Sequence, residues 1–399
     1  MSTDLPAILG GTPSFDRALP FVRPRLPRYA DLENELREII SSGMLTKGAR
    51  LRQFEEDLAQ NLQAKYAVAV SSCTSGLMLT YQALGLTGEV IVPSFTFMAT
   101  VSAMVWCDLT PVYVDVNVET TNIEPERVEA AITPRTSAIV AVHNFGNPAP
   151  IDKLLEIADK HGLKLIFDSA HGFGTLYRGK PVGSQGDAHS FSMSPTKLPV
   201  AGEGGVVATN DARLAESLRL GREYGNNGAY DSLFAGMNAR MPEVNALLGI
   251  HGLKLLEETV GLRNQVAVAY RKGLEGIAGI DFQQIDPRDR SSYKDFSILI
   301  RADQFGLSRD ELVEALKAER IDTRNYYDPP VHRQQAYSKF SHPDMELTNT
   351  NILSEGSVSL PIGAQVDEEA VGQICDAIKR ISVNAVAVRQ ALREPVSAS

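Results

Sequence analysis

Lysines of soluble proteins usually stand in solvent among acidic neighbours. Lys197 does not read that way. It lies in His189-Ser-Phe-Ser192-Met-Ser-Pro-Thr-Lys197-Leu-Pro-Val-Ala-Gly-Glu-Gly-Gly205, with hydroxyls and a proline before it and an apolar, glycine-rich turn after it. A partly desolvated lysine has a lowered pKa and forms a Schiff base with an aldehyde. Standing alone, the segment also reads as a turn carrying an incidental lysine. A second candidate is Leu165-Ile-Phe-Asp168-Ser-Ala-His171-Gly172, which puts an acid at the end of an apolar run. In an open α/β sheet that is the rim where ligands bind. Asp168 as a helix cap and His171 as a hydrogen-bonded loop residue fit these letters equally well. The third is Ser71-Ser-Cys-Thr-Ser-Gly76, between an apolar run and a helical stretch. Backbone N–H groups and hydroxyls at a helix start bind anions, but Ser and Thr are also ordinary N-caps, and capping is the favoured use of this segment alone. No lysine follows at the phosphate-loop spacing.

Together the three segments are more specific than any one. An anion loop, a strand-end carboxylate and a sheltered lysine are what pyridoxal phosphate needs. The loop holds the phosphate, the carboxylate keeps the pyridine nitrogen protonated, and the lysine bonds the aldehyde and moves the proton.

The elements that must position these residues form an alternating pattern. Short apolar runs at 66–70, 89–92, 112–114, 138–142, 163–167, 189–192 and 206–209 are separated by helical stretches at 75–86, 99–106, 124–132 and 151–161. Alternation of this kind predicts an α/β domain with a mostly parallel sheet covered on both faces. The long connection before 206–209 leaves room for that last strand to run antiparallel. One long helix is expected from about 242 past 267. A strand at 296–300, a helix at 308–319, a loop at 325–334 and a last helix near 367–381 follow. The layout is thus an N-terminal arm and helix at 1–44, a large α/β domain at 45–260, a smaller α+β domain at 261–385 and a tail at 386–399.

Composition narrows the function classes. Of 399 residues 43% are hydrophobic and 22% charged, a soluble globular mix, and the net charge of −10 removes the basic footprint expected of a nucleic-acid binder. The basic run Arg23-Pro-Arg-Leu-Pro-Arg28 is short and reads as an exposed extended arm. The uncharged stretches 67–88 and 90–107 carry turn residues and read as buried strand and helix, not membrane spans. Cys73, Cys107 and Cys375 lack metal-ligand spacing, so no metal is expected, and sparse free thiols with no visible signal peptide suit the cytoplasm.

Further blocks carry a resemblance. They are Gly43-Met-Leu-Thr-Lys-Gly48, Ser72-Cys-Thr-Ser-Gly76, Val92-Pro-Ser-Phe-Thr-Phe97-Met-Ala99, Asp168-Ser-Ala-His171-Gly-Phe-Gly174 and Gly183-Ser-Gln-Gly-Asp187. Phe191-Ser192, Lys197, Gly202-Glu-Gly-Gly205, Gly236-Met-Asn238-Ala-Arg240-Met-Pro-Glu243, Tyr327-Asp-Pro-Pro-Val-His332 and Leu360-Pro361 follow in order. The chain resembles the pyridoxal-phosphate-dependent sugar aminotransferases of the DegT/StrS type, fold type I of the aspartate aminotransferase superfamily. The resemblance implies Lys197 as the Schiff-base lysine, Asp168 as partner of the pyridine nitrogen, His171 beside the ring and Phe97 stacked on it. It implies Thr74, the Ser75 backbone and Ser192 at the phosphate, and Asn238 reaching the phosphate of the other subunit in a homodimer with shared sites. Arg222, Arg240, Tyr327 and His332 are candidate acceptor contacts, each as readily structural. Cys73 stands where the family often has Gly, Ser169 where Ala is common and Ala239 where an aromatic is common.

Relatives that dehydrate a deoxysugar carry His at the lysine position, so Lys197 implies amino transfer. The reading is a transfer from an amino acid, L-glutamate, to a keto-sugar nucleotide, with C4 of a dTDP-4-keto-6-deoxyhexose as the narrower placement. A cyclitol acceptor and a non-catalytic cofactor-binding regulatory module are the alternatives. The family-like blocks start near residue 43, which leaves no room before them for a helix-turn-helix domain, and no Gly-x-Gly-x-x-Gly follows a strand.

Overall fold

The computed structural model describes residues 5–342 and 345–393. Its large sheet has seven strands: β1 Tyr66–Val70, β2 Glu89–Pro93, β3 Thr110–Val114, β4 Thr136–Val142, β5 Lys164–Asp168, β6 Ala188–Ser192 and β7 Gly205–Thr209. All seven apolar runs are strands, in the order β1-β7-β6-β5-β4-β2-β3. Pairing is parallel from β6 to β3, and β7 runs antiparallel to both β6 and β1. The continuous apolar runs follow from burial on two faces. Ile139, Ala141, Leu165 and Phe167 point into one core, and Ala138, Val140 and Ile166 into the other. The topology gathers the C-terminal ends of β1, β5 and β6 and the start of β7 at one edge. Among the described residues no helix is long and apolar enough to cross a membrane.

Two glycines bring the helix that follows β1 down onto this edge. A Cβ on Gly76 would sit 2.7 Å from Ser190 Oγ, and one on Gly205 2.3 Å from the Ser72 carbonyl carbon. The helix Cys73–Ala83 therefore rests directly on β6 and β7. Glu243 performs a similar service elsewhere. Its buried carboxylate accepts the N–H groups of Gly48, Arg50 and Leu51 at 2.8, 2.9 and 3.1 Å, capping the helix Ala49–Asn61 from far along the chain.

A second core forms around the antiparallel strands Ile280–Phe282, Phe296–Ile300 and Ser357–Leu360. Tyr270, Phe296, Ile298, Leu312, Ile374 and Ile378 fill it. The N-terminal segment docks here: Glu319, fully buried, accepts the N–H groups of Ala7 and Ser14, and Leu19 bridges Ile321.

Two expectations are corrected. The single helix past 242 is two helices, Glu243–Lys254 and Leu256–Leu274. Gly249 and Gly252 press the first one against Phe54 and Val200, and the Leu255 N–H turns to Gly252 O (3.1 Å), so the chain changes course toward the second core. The stretch read as a tail contains the helix Ala385–Arg393, whose Ala385, Val388 and Leu392 pack on that core at helical spacing. Residues 394–399 lie outside the described residues.

Candidate active site

Asp168 ends β5 and is almost wholly buried. Thr100 Oγ1 donates to its Oδ2 (2.7 Å), and the Ala170 N–H and the Cys73 thiol donate to Oδ1 (3.1 and 3.8 Å). Burial pushes this carboxyl up, while those hydrogen bonds and the Lys197 charge pull against it. Every donor touching it is neutral. A buried carboxylate so held is matched to a cationic N–H.

Lys197 sits in the turn after β6, half-buried, with its N–H on Ser194 O (2.9 Å). Burial, then the Lys294 ammonium, push its amine down to about 8, against the opposing pull of Asp295 and Asp168. About a tenth of it is therefore neutral and nucleophilic at pH 7, far more than of an ordinary lysine. His171 is buried too. The Phe145 N–H donates to its Nδ1 (3.2 Å), which leaves the ring proton on Nε2. Burial, then Lys197 and Lys294, hold the ring well below its usual pKa, so it is a neutral imidazole.

The anion loop divides its hydroxyls. Ser72 and Ser75 form a capping box at the Cys73–Ala83 helix, so the capping expected of the segment alone is present. The Ser75 N–H, placed at a phosphate by the resemblance, is committed to Ser72 Oγ (3.1 Å). Ser71 and Thr74 carry the loop hydroxyls outside that box, and Ser71 Oγ lies 3.1 Å from Ser75 Oγ. Ser192, at the end of β6, is buried and only weakly engaged by Ser194 Oγ (3.5 Å). Phe97, which opens the helix Met98–Trp106 just after β2, is 48% exposed, a large ring half in solvent.

The acceptor candidates are not gathered in this way. Arg222 is tied to Glu55 and to Ala69 O (2.6 Å) behind β1, a scaffolding use that occupies the guanidinium. Arg240 pairs with Glu223 (3.0 Å) and lies over Tyr224. Tyr327 packs its ring against Phe95 and Phe145. His332 shares a proton with Ser94 Oγ (2.6 Å) and is driven to about 4 by burial and Arg333, so it is neutral. Asn238 is exposed. The helix Glu243–Lys254 begins at Pro242 without a side-chain cap, so Asn238 does not cap it, and its segment is anchored by the Ser71 N–H on Ala239 O (2.8 Å).

Sequence reasoning missed two groups. Thr100 lies in a helix read only as apolar. Lys294 and Asp295 form an almost fully buried ion pair (2.9 Å) whose charges act on Lys197. Adjacent opposite charges read as a solvated loop. The uncharged neighbours Ser291-Ser-Tyr293 and Phe296-Ser-Ile298 were the available signal.

The donor set fits pyridoxal phosphate: a buried carboxylate awaiting a cation, an amine of lowered pKa, a helix start closed beneath by glycine, and a half-exposed aromatic. Comparison with known proteins agrees. A sequence model of the DegT/DnrJ/EryC1/StrS aminotransferase family matches residues 29–379. The chain is 35% identical over 88% of its length to the dTDP-3-amino-3,4,6-trideoxy-alpha-D-glucose transaminase of Streptomyces venezuelae, covering 92% of it. It is 34% identical over 90% of its length to the dTDP-4-amino-4,6-dideoxy-D-glucose transaminase of Escherichia coli, covering 97%. The solved structure of DesI in the presence of its TDP-sugar product superposes with a TM-score of 0.92 at 37% identity, over 98% of this chain and 100% of that one.

Proposed function

From the premise that the chain belongs to the DegT/DnrJ/EryC1/StrS aminotransferase family and is a pyridoxal-phosphate-dependent aminotransferase, we propose that it moves the amino group of L-glutamate to a keto-sugar nucleotide, at C4 of a dTDP-4-keto-6-deoxyhexose. The observation that carries the reading is the pairing, at one sheet edge, of a buried Asp168 held only by neutral donors with a lysine driven to about 8.

The bound cofactor supplies the electron sink and carries the amino group. Asp168 holds the proton on its pyridine nitrogen. Lys197 Nζ would anchor the cofactor, then take the proton from the donor Cα and deliver it to the cofactor carbon that keeps the amino group, which its lowered pKa suits. His171, with its proton on Nε2, would donate to the bound cofactor, and Phe97 would stack on its ring. Thr74 and Ser192 hold the phosphate, joined by Asn238 of the partner in a homodimer with shared sites. Tyr327, His332 and Arg240 remain as acceptor contacts. The enzyme works in the cytoplasm, where its free thiols stay reduced.

The test is in two halves. L-glutamate should bleach the visible band of the holoenzyme, and a dTDP-4-keto-6-deoxyhexose should restore it. Bleaching by L-glutamine alone would overturn the donor, and restoration only by 3-keto sugars or cyclitols would overturn the acceptor.

A further inference from the structure

The turn that presents Phe97 also reaches Asp168. Thr96 and Thr100 flank Phe97 and are buried, with 1% and 0% of their surfaces exposed. Their hydroxyls are 2.9 Å apart, and Thr100 Oγ1 continues to Asp168 Oδ2 at 2.7 Å. A threonine inside a helix usually returns its hydroxyl proton to the carbonyl four residues back. Thr80 does so to Gly76 O (2.7 Å) and Thr259 to Leu255 O (2.6 Å). Thr100 gives its proton to a carboxylate from another element instead. An ionised carboxylate only accepts, and a hydroxyl has one proton. The chain therefore runs in one direction, from Thr96 to Thr100 to Asp168. Ala170 N–H and Cys73 Sγ engage the other oxygen, so both carboxylate oxygens accept hydrogen bonds.

We propose that Thr100, oriented by Thr96, is a positioning residue that keeps Asp168 charged and in the plane required by the cofactor's pyridine nitrogen. The inference rests on the assignment of Asp168 to that nitrogen. Because Phe97 lies between the two threonines, one turn sets both the ring face and the partner of the ring nitrogen. Without the Thr100 proton the charged form of Asp168 loses its shortest hydrogen bond, and the shared proton moves from the ring nitrogen toward the carboxylate.

The test uses holoenzyme loaded with pyridoxal phosphate carrying 15N at the ring nitrogen. The solid-state 15N shift reads where the proton lies, and equilibrium dialysis reads cofactor affinity. Hydrogen bonds to charged groups are worth about ten- to a hundredfold in such equilibria. Thr100→Val should move the shift toward the unprotonated value and weaken binding by about tenfold or more. Thr100→Ser should match the wild type, and Thr96→Val should shift it the same way by less. Asp168→Asn should shift it most. If Asp168→Asn moves both readouts while Thr100→Val leaves them at wild-type values, the inference falls and the Asp168 assignment stands. If Asp168→Asn moves neither, both fall. Should Thr100→Val not fold, Thr96→Val carries the test, and an unmoved shift there overturns the proposal.

Discussion

Lys294 should set the pH at which Lys197 becomes reactive, and replacing it with Met tests this. The structure puts the Lys197 amine at about 8, against an ordinary 10.5, with burial as the first cause and the Lys294 ammonium as the second. Covalent capture of pyridoxal phosphate by the apoprotein requires the neutral amine. At pH 7 a group of pKa 8 is neutral in roughly one molecule in ten, and an ordinary lysine in about one in 3,000, a difference of about 300-fold. The capture rate, followed by growth of the visible band after rapid mixing, should therefore climb about tenfold per pH unit below 8 and level off above it. In Lys294→Met the cation is gone while Asp295 remains and favours protonated Lys197. The plateau should move to higher pH, and the rate at pH 7 should fall. A wild-type rate still climbing between pH 9 and 10 would refute the depressed amine. An unmoved plateau in Lys294→Met would refute the role of the second cation.

Three further outcomes follow from the same geometry. Lys197→Ala should abolish turnover, and borohydride reduction of the wild type should fix the cofactor on the peptide containing Lys197; label on another lysine would remove the assignment. Lys197→Ala subunits mixed with Asn238→Ala subunits should partly regain activity if sites are shared, since one site of a mixed dimer carries neither lesion; heterodimers without regained activity would make Asn238 a within-subunit residue. Glu243→Gln should cost about 2–3 kcal/mol, because one buried carboxylate serves three backbone N–H groups, and an unchanged melting temperature would show the cap to be idle.

The strands of the large sheet were legible because strands covered on both faces write themselves as unbroken apolar runs, and because glycines and prolines punctuate the run before β7. Lys197 and Asp168 were legible as an unusual lysine and a strand-end acid. What escaped was decided by tertiary contact. The bend at Leu255 depends on what Gly249 and Gly252 touch, which no local pattern records. The helix Ala385–Arg393 has the Ala385, Val388, Leu392 spacing, but its short, mixed composition resembled a fraying end. Thr100 looks like one more small residue of an apolar helix until β5 brings Asp168 beside it. Arg222 shows the converse: a cation that suits an acceptor contact, already spent on Glu55.

The central claim, amino transfer to a nucleotide-linked keto sugar, is tested most directly by following the nitrogen. Holoenzyme is incubated with [15N]glutamate and a dTDP-4-keto-6-deoxyhexose, and the sugar product is read by NMR. The account predicts 15N bonded to C4 of the sugar, with one 2-oxoglutarate formed per amine. A sugar without 15N, from enzyme whose visible band glutamate bleaches normally, would contradict it.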